Sequence, residues 1–463
     1  MPLSQSAATE LLRDRLIPLH VSERARADAL DMWVRGKGEA VRMPSKANKE
    51  HKNLAELVSS PVLGVVVTNT AQALFADGYR SPDAADNEDS WRTWQANDLD
   101  SRQSAIHRGA LGQGLAYATV MPGVDRDGPR SVIRGVSARK MVAVYQDEAE
   151  DDWPIYALRS EVSGSKRMLR LYDEEAVYYF GTSADFGDLE FIEWRSHDAG
   201  VCPVVRYANQ LDLDGRSESD IEALIPLARR YNKTVYDRLL VQHFNSWKVR
   251  TIAGLENFAE DESEAAQKKI QLRQDDILVA EDADTKFGTL DETPLDGFIK
   301  AGESDLDLIS AIGQVPGTIF GSSKLANLSA DTIAELRAGL TQKVFERQMS
   351  FGKSHAQALR LAHRLETGDD SDVMARMTWR DMQPKTMAQV VDALGKAVQM
   401  LEVPPQAVWH LIPGVSKTDA DEWRDEANVR ASREARQAIA QAAASARASS
   451  TVAQVNDAGA SPR

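Results

Sequence analysis

The sequence predicts an α+β protein that is predominantly helical, and three observations lead to this prediction. An apolar pattern with the spacing of one helical face runs from residue 330 to residue 365. Short β-type segments separated by turn residues fill the region between residues 131 and 207. Helical patterns return on both sides of a small insert at residues 248–292. A chain of 463 residues is long enough for two or three packed units.

The other parts of the chain are arranged around the helix predicted over residues 330–365. Ser329 is placed to cap this helix, and Asp331 complements the dipole of its first turn. Its apolar face carries Ile333, Leu336, Leu340, Val344, Phe351, Leu359 and Leu365. The helix would be about 50 Å long, which indicates a structural strut. Gly339 and Gly352 are positions where it could bend. The alternative is a long core helix of an ordinary large domain.

A polar loop with the sequence VPGTIFGSSKLANLS precedes the long helix at residues 315–329. Its glycines, serines and Asn327 favour irregular backbone over a helix or a strand. Lys324 is the single cation of the loop. We therefore expect a segment that is mobile or that faces a ligand.

The first 210 residues divide into a helical part and a β-rich part. Helical patterns cover two ranges, residues 7–80 and residues 88–118. The first range includes a predicted buried helix at residues 61–79. The β-type segments predict a mostly antiparallel sheet and cover residues 131–136, 141–145, 154–162, 168–172, 176–180, 191–194 and 203–207. We interpret the acidic run at residues 147–152 as a solvated hairpin tip, because no histidine or backbone constraint focuses its carboxylates on a metal.

The order of elements after residue 218 is helix, insert, helix, loop and long helix. A capping box of Ser219 and Glu222 begins the first of these helices, and Pro226 implies a kink or a restart within it. Further helices are predicted at residues 295–312, 384–400 and 419–444. One strand is predicted at residues 373–379. From residue 445 the Ala/Ser/Arg tail has too little apolar surface to order itself.

The charge and the cysteine content limit the possible functions. The chain has 55 basic and 70 acidic residues and a formal net charge of −15, so its surface repels nucleic acid unless local patches dominate. A protein surface that lets DNA slide past without binding it would also carry a negative charge. The single cysteine, Cys202, lies between apolar neighbours and is interpreted as a buried residue, not as a nucleophile. With no signal-peptide core or membrane-length apolar run, we expect a soluble intracellular product with no membrane contact.

The sequence contains no motif that predicts catalytic, cofactor-binding or metal-binding chemistry. Gly352, Lys353 and Ser354 match only the second half of a phosphate-binding loop, and Arg347 stands where the first glycine is required. The histidines show no HExxH or Cys/His spacing, and no serine lies in a G-x-S-x-G elbow. Basic residues are scattered without an aromatic-interleaved patch, which argues against sequence-specific recognition of DNA.

Several strings, in this order, resemble the portal (head-tail connector) proteins of tailed double-stranded-DNA bacteriophages of the siphovirus type. They are NDLDSRQSAIHRGALGQGLAYATV, GVCPVVRYANQLDLDGRSESDIEALIPLARRYN, QVPGTIFGSSKLANLSADTIAELRAGL, MARMTWRDMQPKTMAQVVDALGKAVQ and VPPQAVWHLIPGVSKTDADEWR. Together with the order of elements, the resemblance extends over most of residues 25–430.

The resemblance implies a ring, usually of twelve subunits, at one capsid vertex, with a channel through which DNA enters and leaves. The implied regions are the N-terminal helices and β-rich wing (1–218), the first stem helix (219–247), a small α/β clip (248–292), the second stem helix (293–314), the tunnel loop (315–328), the long kinked helix with the remainder of the wing (329–418), the crown helix (419–444) and a disordered tail (445–463).

The resemblance also implies contacts and partners for these regions. The loop residues that would face DNA are Thr318, Gly321, Ser322, Ser323, Lys324 and Asn327. Lys324 would touch the DNA backbone transiently or pair with a neighbouring subunit. The implied partners are further copies of the chain, double-stranded DNA that passes without sequence recognition, the terminase large subunit, the scaffold and major capsid proteins, and a head-tail adaptor. The implied location is the virion, after synthesis in the host cytoplasm.

Two other function classes remain open at the level of sequence. One is a different virion structural protein, such as an adaptor or a capsid-interior component, which would not need the tunnel loop. The other is an intracellular enzyme whose site residues are dispersed along the chain. The measured mass in solution separates these hypotheses, because a portal assembles into a discrete multiple of 51.0 kDa.

Overall fold

The computed structural model describes residues 1–43, 49–81, 88–126, 128–164, 166–245, 250–253, 286–289, 293–321, 330–369, 373–380, 387–412, 415 and 417–458. The chain forms two compact units, Met1–Met382 and Gln383–Arg463. Each unit is described by itself below.

The helices and strands are numbered in chain order. The helices are α1 (Gln5–Leu11), α2 (Ile17–Val34), α3 (Lys49–Glu56), α4 (Val62–Gln72), α5 (Glu88–Ala96), α6 (Leu99–Gln113), α7 (Ile225–Asn245), α8 (Asp296–Gly313), α9 (Ala330–Thr367), α10 (Met387–Met400) and α11 (Lys417–Ala458). The strands are β1 (Ala76–Arg80), β2 (Leu115–Met121), β3 (Val124–Asp125), β4 (Gly128–Pro129), β5 (Val132–Ser137), β6 (Met141–Val144), β7 (Tyr156–Ser163), β8 (Lys166–Tyr172), β9 (Ala176–Ser183), β10 (Glu190–Ser196), β11 (Val204–Ala208), β12 (Arg250–Ala253), β13 (Lys286–Thr289) and β14 (Arg376–Trp379).

The β-rich region contains two antiparallel sheets, as predicted. One sheet has the strand order β10-β9-β8-β7-β6, and the other has the order β11-β2-β5. The first sheet buries one face against α1, α2 and the π-helical turn Leu12–Leu16 that joins them. Its other apolar side chains pack with residues of the second sheet. The predominantly helical α+β class predicted from the sequence is confirmed.

Two helical predictions in the first 120 residues are wrong at their C-terminal ends. The helix predicted over residues 61–79 ends at Gln72, and Ala76–Arg80 forms a strand that pairs with Arg376–Trp379. The helix predicted over residues 88–118 ends before Gly114, and Leu115 begins β2. Gly114 has φ +85°, and a Cβ there would lie 2.8 Å from the Ser217 carbonyl oxygen, so glycine ends the helix at a close chain crossing.

The acidic run at residues 147–152 forms a turn stabilised by its own carboxylates. Asp151 Oδ2 accepts hydrogen bonds from the Gln146 and Asp147 amides at 3.1 and 2.8 Å. Asp147 Oδ1 accepts from the Ala149 and Glu150 amides. The prediction of a solvated turn between two strands agrees with this structure. Cys202 is buried, and burial raises the pKa of its thiol well above the ordinary value, which fits a packing role.

The first unit has its main core where α9 crosses the second sheet and the N-terminal helices. The largest side chains in this core that are fully buried include Trp94, Tyr79, Tyr207, Phe351 and Leu63. Alanines at 356, 358 and 362 let neighbouring elements approach α9 closely. The prediction of a long helix over residues 330–365 is confirmed, because α9 runs from Ala330 to Thr367. The helix continues through Gly339 and Gly352.

The second unit contains α10, two short 3₁₀ turns (Pro405–Ala407 and Trp409–Leu411) and α11. Trp423 packs edge to face on Trp409, with ring centroids 6.2 Å apart. The last helix extends to Ala458, so the disordered tail predicted from residue 445 is wrong up to that point. Alanine has the highest intrinsic helix propensity, which favours a helix in this Ala-rich segment. Residues 459–463 lie outside the described residues.

Candidate assembly and channel site

Helices α7 and α8 form an antiparallel pair. Near one end, Leu224 lies against Gly313, and Arg230 forms an ion pair with Asp305 at 2.6 Å. Near the other end, the Asn245 side-chain amide donates to the Thr293 carbonyl oxygen at 2.9 Å. This pair matches the two predicted stem helices, except that regular α-helix begins at Ile225 after a 3₁₀ turn.

The start of α7 explains the roles of Pro226 and of the predicted capping box. Pro226 is the second residue of the helix, where its missing N–H costs no hydrogen bond. The Glu222 carboxylate accepts from the Ser219 amide at 3.4 Å, which is one half of the box. The Ser219 hydroxyl instead donates to the carbonyl oxygens of Leu111 and Gly112. The predicted restart at Pro226 is confirmed.

A two-stranded antiparallel sheet follows the Asn245 end of this helix pair. Strands β12 and β13 pair antiparallel, with Arg250 opposite Thr289 and Ala253 opposite Lys286. They belong to the predicted insert at residues 248–292. Residues 248–249, 254–285 and 290–292 of that insert lie outside the described residues.

A buried ion cluster holds the other end of the pair to α9. The Asp220 carboxylate lies 2.6 Å from Lys343 Nζ and 3.3 Å from Arg347 Nη2, and all three side chains are at most 4% exposed. Asn209 also donates to Asp220 at 2.8 Å. Burial lowers the pKa of Lys343, and the Asp220 charge opposes this effect. The cluster fixes the entry to α7 against the long helix.

Lys343 also fixes the end of α8. Its Nζ donates to the Gly313 carbonyl oxygen at 3.0 Å, one of the carbonyls left unpaired at a helix C-terminus. Gln314 then adopts φ +53°, and the Ser310 hydroxyl donates to the Val315 carbonyl oxygen at 2.6 Å. Lys343 of α9 thereby contacts both predicted stem helices at the point where the predicted tunnel loop begins.

The C-terminal part of α9 is held in the body of the first unit by its polar side chains. Ser350 and Ser354 donate to the carbonyl oxygens of Ala208 and Arg206 at 2.7 and 2.6 Å. Glu366 accepts from the Ser131 amide at 2.7 Å. Gly352, Lys353 and Ser354, the partial match to a phosphate-binding loop, thus lie within a helix, and the serine contacts a strand.

A buried histidine pair lies beneath this part of the helix. His355 Nε2 is 2.9 Å from His107 Nε2, and His355 Nδ1 is 2.9 Å from the Tyr207 hydroxyl. Trp94 packs edge to face on His355, and Phe351 stacks on His107. Burial lowers the pKa of His107 to about 4 and that of His355 well below its ordinary value, so both rings are neutral at pH 7.

The predicted loop residues are only partly within the described structure. Thr318 lies in the 3₁₀ turn Gly317–Phe320, and Gly321 follows with φ +71°. Ser322, Ser323, Lys324 and Asn327, together with the predicted cap Ser329, lie outside the described residues. The contact of this loop with DNA therefore stays a prediction.

Sequence reasoning missed Asp220, Lys343, Arg347 and the histidine pair. A signal for two of these residues was present. Lys343 and Arg347 are four residues apart and lie beside Leu340 and Val344, so the predicted apolar face carries two cations that need a buried acid. The partner Asp220 is more than 100 residues away, and no local pattern identifies it.

The described architecture has a helix pair, a two-stranded sheet that follows one end of the pair and a long helix fixed at the other end. This architecture fits a structural subunit, so the class of protein is an assembly component. Among the described residues, no group of three or more His, Cys, Asp and Glu side chains could hold a metal ion. No helix in that part of the chain is long and apolar enough to span a membrane.

The chain belongs to the phage portal protein family of the SPP1 Gp6-like type, whose family model matches residues 13–432. It is 27% identical over 379 residues to the portal protein of Mycobacterium phage L5, a match that covers 75% of this chain and 74% of the relative. It is 26% identical over 354 residues to the portal protein of Mycobacterium phage D29, covering 71% and 70%. The resemblance stated from the sequence is confirmed.

Solved structures similar to the chain include a neck of an empty gene transfer agent particle, with a TM-score of 0.46 and 13% identity over 83% of this chain and 100% of that chain. A virion of a native gene transfer agent particle gives a TM-score of 0.46 and 14% identity over 83% and 99%.

Membership of this family establishes the general function. The protein is a capsid portal, a structural component of the virion, and the general role of portals is DNA packaging with docking of terminase. Portals work as homo-oligomeric rings.

Proposed function

We propose that the chain forms a twelve-subunit ring at one capsid vertex and that its regions divide the work. The α7–α8 pair forms the stem, the β12–β13 insert the clip, and residues 315–328 the tunnel loop. The first 218 residues, with the elements that follow the loop, form the wing, and residues 419–444 form the crown. The observation that supports this division is the ion cluster of Asp220, Lys343 and Arg347, which joins both stem helices to the long helix where the loop begins.

Exposed apolar side chains near this joint support assembly with further copies of the chain. On α8, Leu308 and Ile312 are 42% and 53% exposed and lie one turn apart. On α9, Phe345 and Met349 are 57% and 54% exposed and also lie one turn apart. Side chains of this kind on the surface of a subunit are typical of protein–protein interfaces. We assign them to contacts between neighbouring subunits.

The remaining roles follow from the same division. The tunnel loop, with Thr318, Gly321, Ser322, Ser323, Lys324 and Asn327, faces DNA that passes without sequence recognition. The net charge of −15 keeps the channel from retaining phosphates by ion pairing. The clip docks the terminase large subunit and later a head-tail adaptor, and the wing contacts scaffold and major capsid protein. The protein is made in the host cytoplasm, has no catalytic turnover of its own, and enters the virion.

The test is the mass of the purified protein by light scattering, with negative-stain microscopy of the same sample. We expect a particle close to twelve times 51.0 kDa with a central pore. The variant Phe345→Glu places a charge at the assigned contact and is expected to shift the particle towards monomer. The control is Leu213→Glu, because Leu213 is 93% exposed in a loop outside the stem. A monomeric wild type with scaffold and capsid protein present, or equal behaviour of the two variants, would contradict the proposal.

A further inference from the structure

A cavity of about 460 Å³ lies beside the five-stranded sheet, in a part of the molecule to which the portal role assigns nothing. We call it the Arg167 pocket. Its cationic lining residues are Arg24, Arg139, Lys140, Arg167 and Arg170, and Glu161 is the carboxylate among its lining residues. A concentration of cations of this kind is unexpected on a chain with a net charge of −15.

Three of these cations have carboxylate partners of their own. Arg24 lies 3.3 Å from Asp28, and Arg139 lies 3.1 Å from Asp31. Arg170 lies 3.3 Å from Glu161, which Arg159 also contacts. Within the part of the chain that the structure describes, Arg167 and Lys140 form no ion pair. The pocket therefore has positive charge left over after its internal pairing.

The excess of positive charge has its largest energetic cost at Arg167, because this side chain is buried. Its side chain is only 6% exposed, and the groups that its guanidinium contacts directly are uncharged. It donates to the Ser160 hydroxyl at 2.7 Å and to the Ala184 carbonyl oxygen at 3.1 and 3.2 Å, and it lies 4.2 Å from the centre of the Phe186 ring. Burial and the nearby Arg24 charge lower its pKa, and the Asp185 carboxylate opposes this change without forming an ion pair with Arg167. A buried cation without a direct ion pair is costly, and an anion in the cavity would reduce that cost.

The edge of β7 leaves room for such a group to enter. Pairing of β6 with β7 ends at Met141 and Arg159, followed by one hydrogen bond from the Ser160 amide to the Lys140 carbonyl oxygen. Residues 161–163 of β7 continue beyond the end of β6 and line the cavity. An entering group would therefore meet Lys140 and Arg167 together.

We propose that the Arg167 pocket binds one oxyanion, a carboxylate or a phosphate group, between Arg167 and Lys140. Guanidinium groups bind both anions through paired N–H donors, and the ammonium of Lys140 adds a second charge. A DNA backbone does not fit this geometry, because a row of phosphates requires a row of cations, whereas Glu161, Asp28 and Asp31 already neutralise the flanking arginines. The oxyanion is either a free ion or an acidic side chain of a protein partner.

The test is thermal unfolding in sodium phosphate against sodium chloride at equal ionic strength and pH 7. Phosphate is expected to raise the melting temperature of the wild type by several degrees in a saturable way. The variant Arg167→Gln should lose this increase. Lys140→Gln should need about tenfold more phosphate to reach half of the maximal increase in melting temperature. A tenfold weaker affinity corresponds to about 1.4 kcal/mol of binding free energy. Arg195→Gln is the matched control, since Arg195 lies on β10 of the same sheet, is exposed and pairs with Glu193.

The outcomes separate the explanations. No difference between phosphate and chloride, or an equal response of Arg167→Gln and wild type, would overturn the proposal. Lys140 is exposed, so Lys140→Gln decides the question if Arg167→Gln does not fold. Displacement of phosphate by the peptide acetyl-Asp-Glu-Asp-Glu-amide would identify an acidic side chain as the occupant, and phosphate binding without displacement would identify a free ion. Displacement by a 20-base-pair DNA duplex would replace the single-oxyanion site with a nucleic-acid surface.

Discussion

The two parts of α9 behave as different structural elements within one continuous helix. From residue 335 to residue 342, most of the described side chains are exposed, including Leu336 on the predicted apolar face. From Ser354 to Leu359, six consecutive residues are buried, so that the helix is enclosed on every side. The first part lies next to the loop, and the second forms the core of the first unit.

This difference shows that one helix can connect a rigid body to a surface that assembles. The buried part resists displacement because it is packed and hydrogen-bonded to strands and helices. The exposed part has few neighbours within the subunit, and we assign it to contacts made in the ring. Lys343 and Arg347 lie at the boundary and pair with Asp220. Movement at the loop would thus reach the stem through this boundary and leave the core unchanged.

The boundary is tested by Asp220→Asn, which has the largest expected effect. The variant leaves Lys343 buried without a counter-charge and leaves Arg347 with only the exposed Glu346 carboxylate at 3.5 Å. We expect a loss of about 3–5 kcal/mol in the free energy of unfolding. Urea unfolding followed by tryptophan fluorescence measures this loss. Glu335→Gln, in the exposed part, should change stability by less than about 0.5 kcal/mol. Similar stability of the two variants would show that the boundary is not fixed by charge.

Two phenylalanines of α9, six residues apart, allow a direct comparison of how buried and exposed side chains contribute to stability. Phe351 is fully buried, and Phe351→Ala should cost about 3–5 kcal/mol in the free energy of unfolding. Phe345 is 57% exposed, and Phe345→Ala should cost less than about 1 kcal/mol in the isolated subunit while weakening assembly. Unfolding and light scattering of the same samples measure both properties. A large loss of subunit stability in Phe345→Ala would remove the distinction.

The histidine pair packed against the buried part of α9, His107 of α6 and His355 of α9, should also give the protein a pH dependence. Because the pKa of His107 falls to about 4 on folding, the unfolded chain binds a proton below pH 6.5 that the folded chain does not. Stability is then fully present above about pH 6.5 and declines as pH falls towards 4, by roughly 2 kcal/mol between pH 7 and pH 5. The variant His107→Gln should have a shallower decline. His363→Gln, on α9 and only partly buried, should behave like the wild type.

The smallest effect is expected from the glycines of α9. A Cβ at Gly339, in the exposed part, would lie 3.7 Å from the Gln314 Cβ, which is ordinary contact. Gly339→Ala should therefore stabilise the subunit by about 0.5–1 kcal/mol through helix propensity. At Gly352, in the buried part, a Cβ would lie 3.4 Å from Trp379 Nε1, so that Gly352→Ala should gain less. Thermal unfolding of both variants measures the difference, and a larger gain at Gly352 would contradict it.

Strong local patterns predicted most elements of the fold. Periodicity predicted α9 to within two residues at its C-terminal end, and alternation and turn residues predicted the antiparallel strands between residues 131 and 207. The errors fall where a distant segment decides the conformation. Ala76–Arg80 is a strand because Arg376–Trp379 pairs with it, and the end of α6 depends on Ser217.

The candidate site was predicted as an order of elements but not as a set of contacts. Composition and spacing predicted the helices and the polar loop, and the family resemblance implied their roles as stem and tunnel loop. The Asp220 cluster, the histidine pair and the Arg167 pocket instead join residues far apart in the chain. In the Arg167 pocket, for example, Arg24 and Arg167 are brought together by the packing of α2 on the sheet. No short motif records such a contact, because the energy of a buried charge depends on all of its neighbours.

By itself, the amino-acid sequence determined the class and the order of elements, because periodicity, capping and turn chemistry act over a few residues. The family followed from the resemblance of several strings in the right order. Only the tertiary structure decided which part of the long helix is buried. The apolar pattern is similar in both parts, and Leu336 and Leu359 are equivalent as residues. Leu359 is enclosed because strands and helices from distant parts of the chain pack around it, whereas Leu336 has no such neighbours and remains 42% exposed.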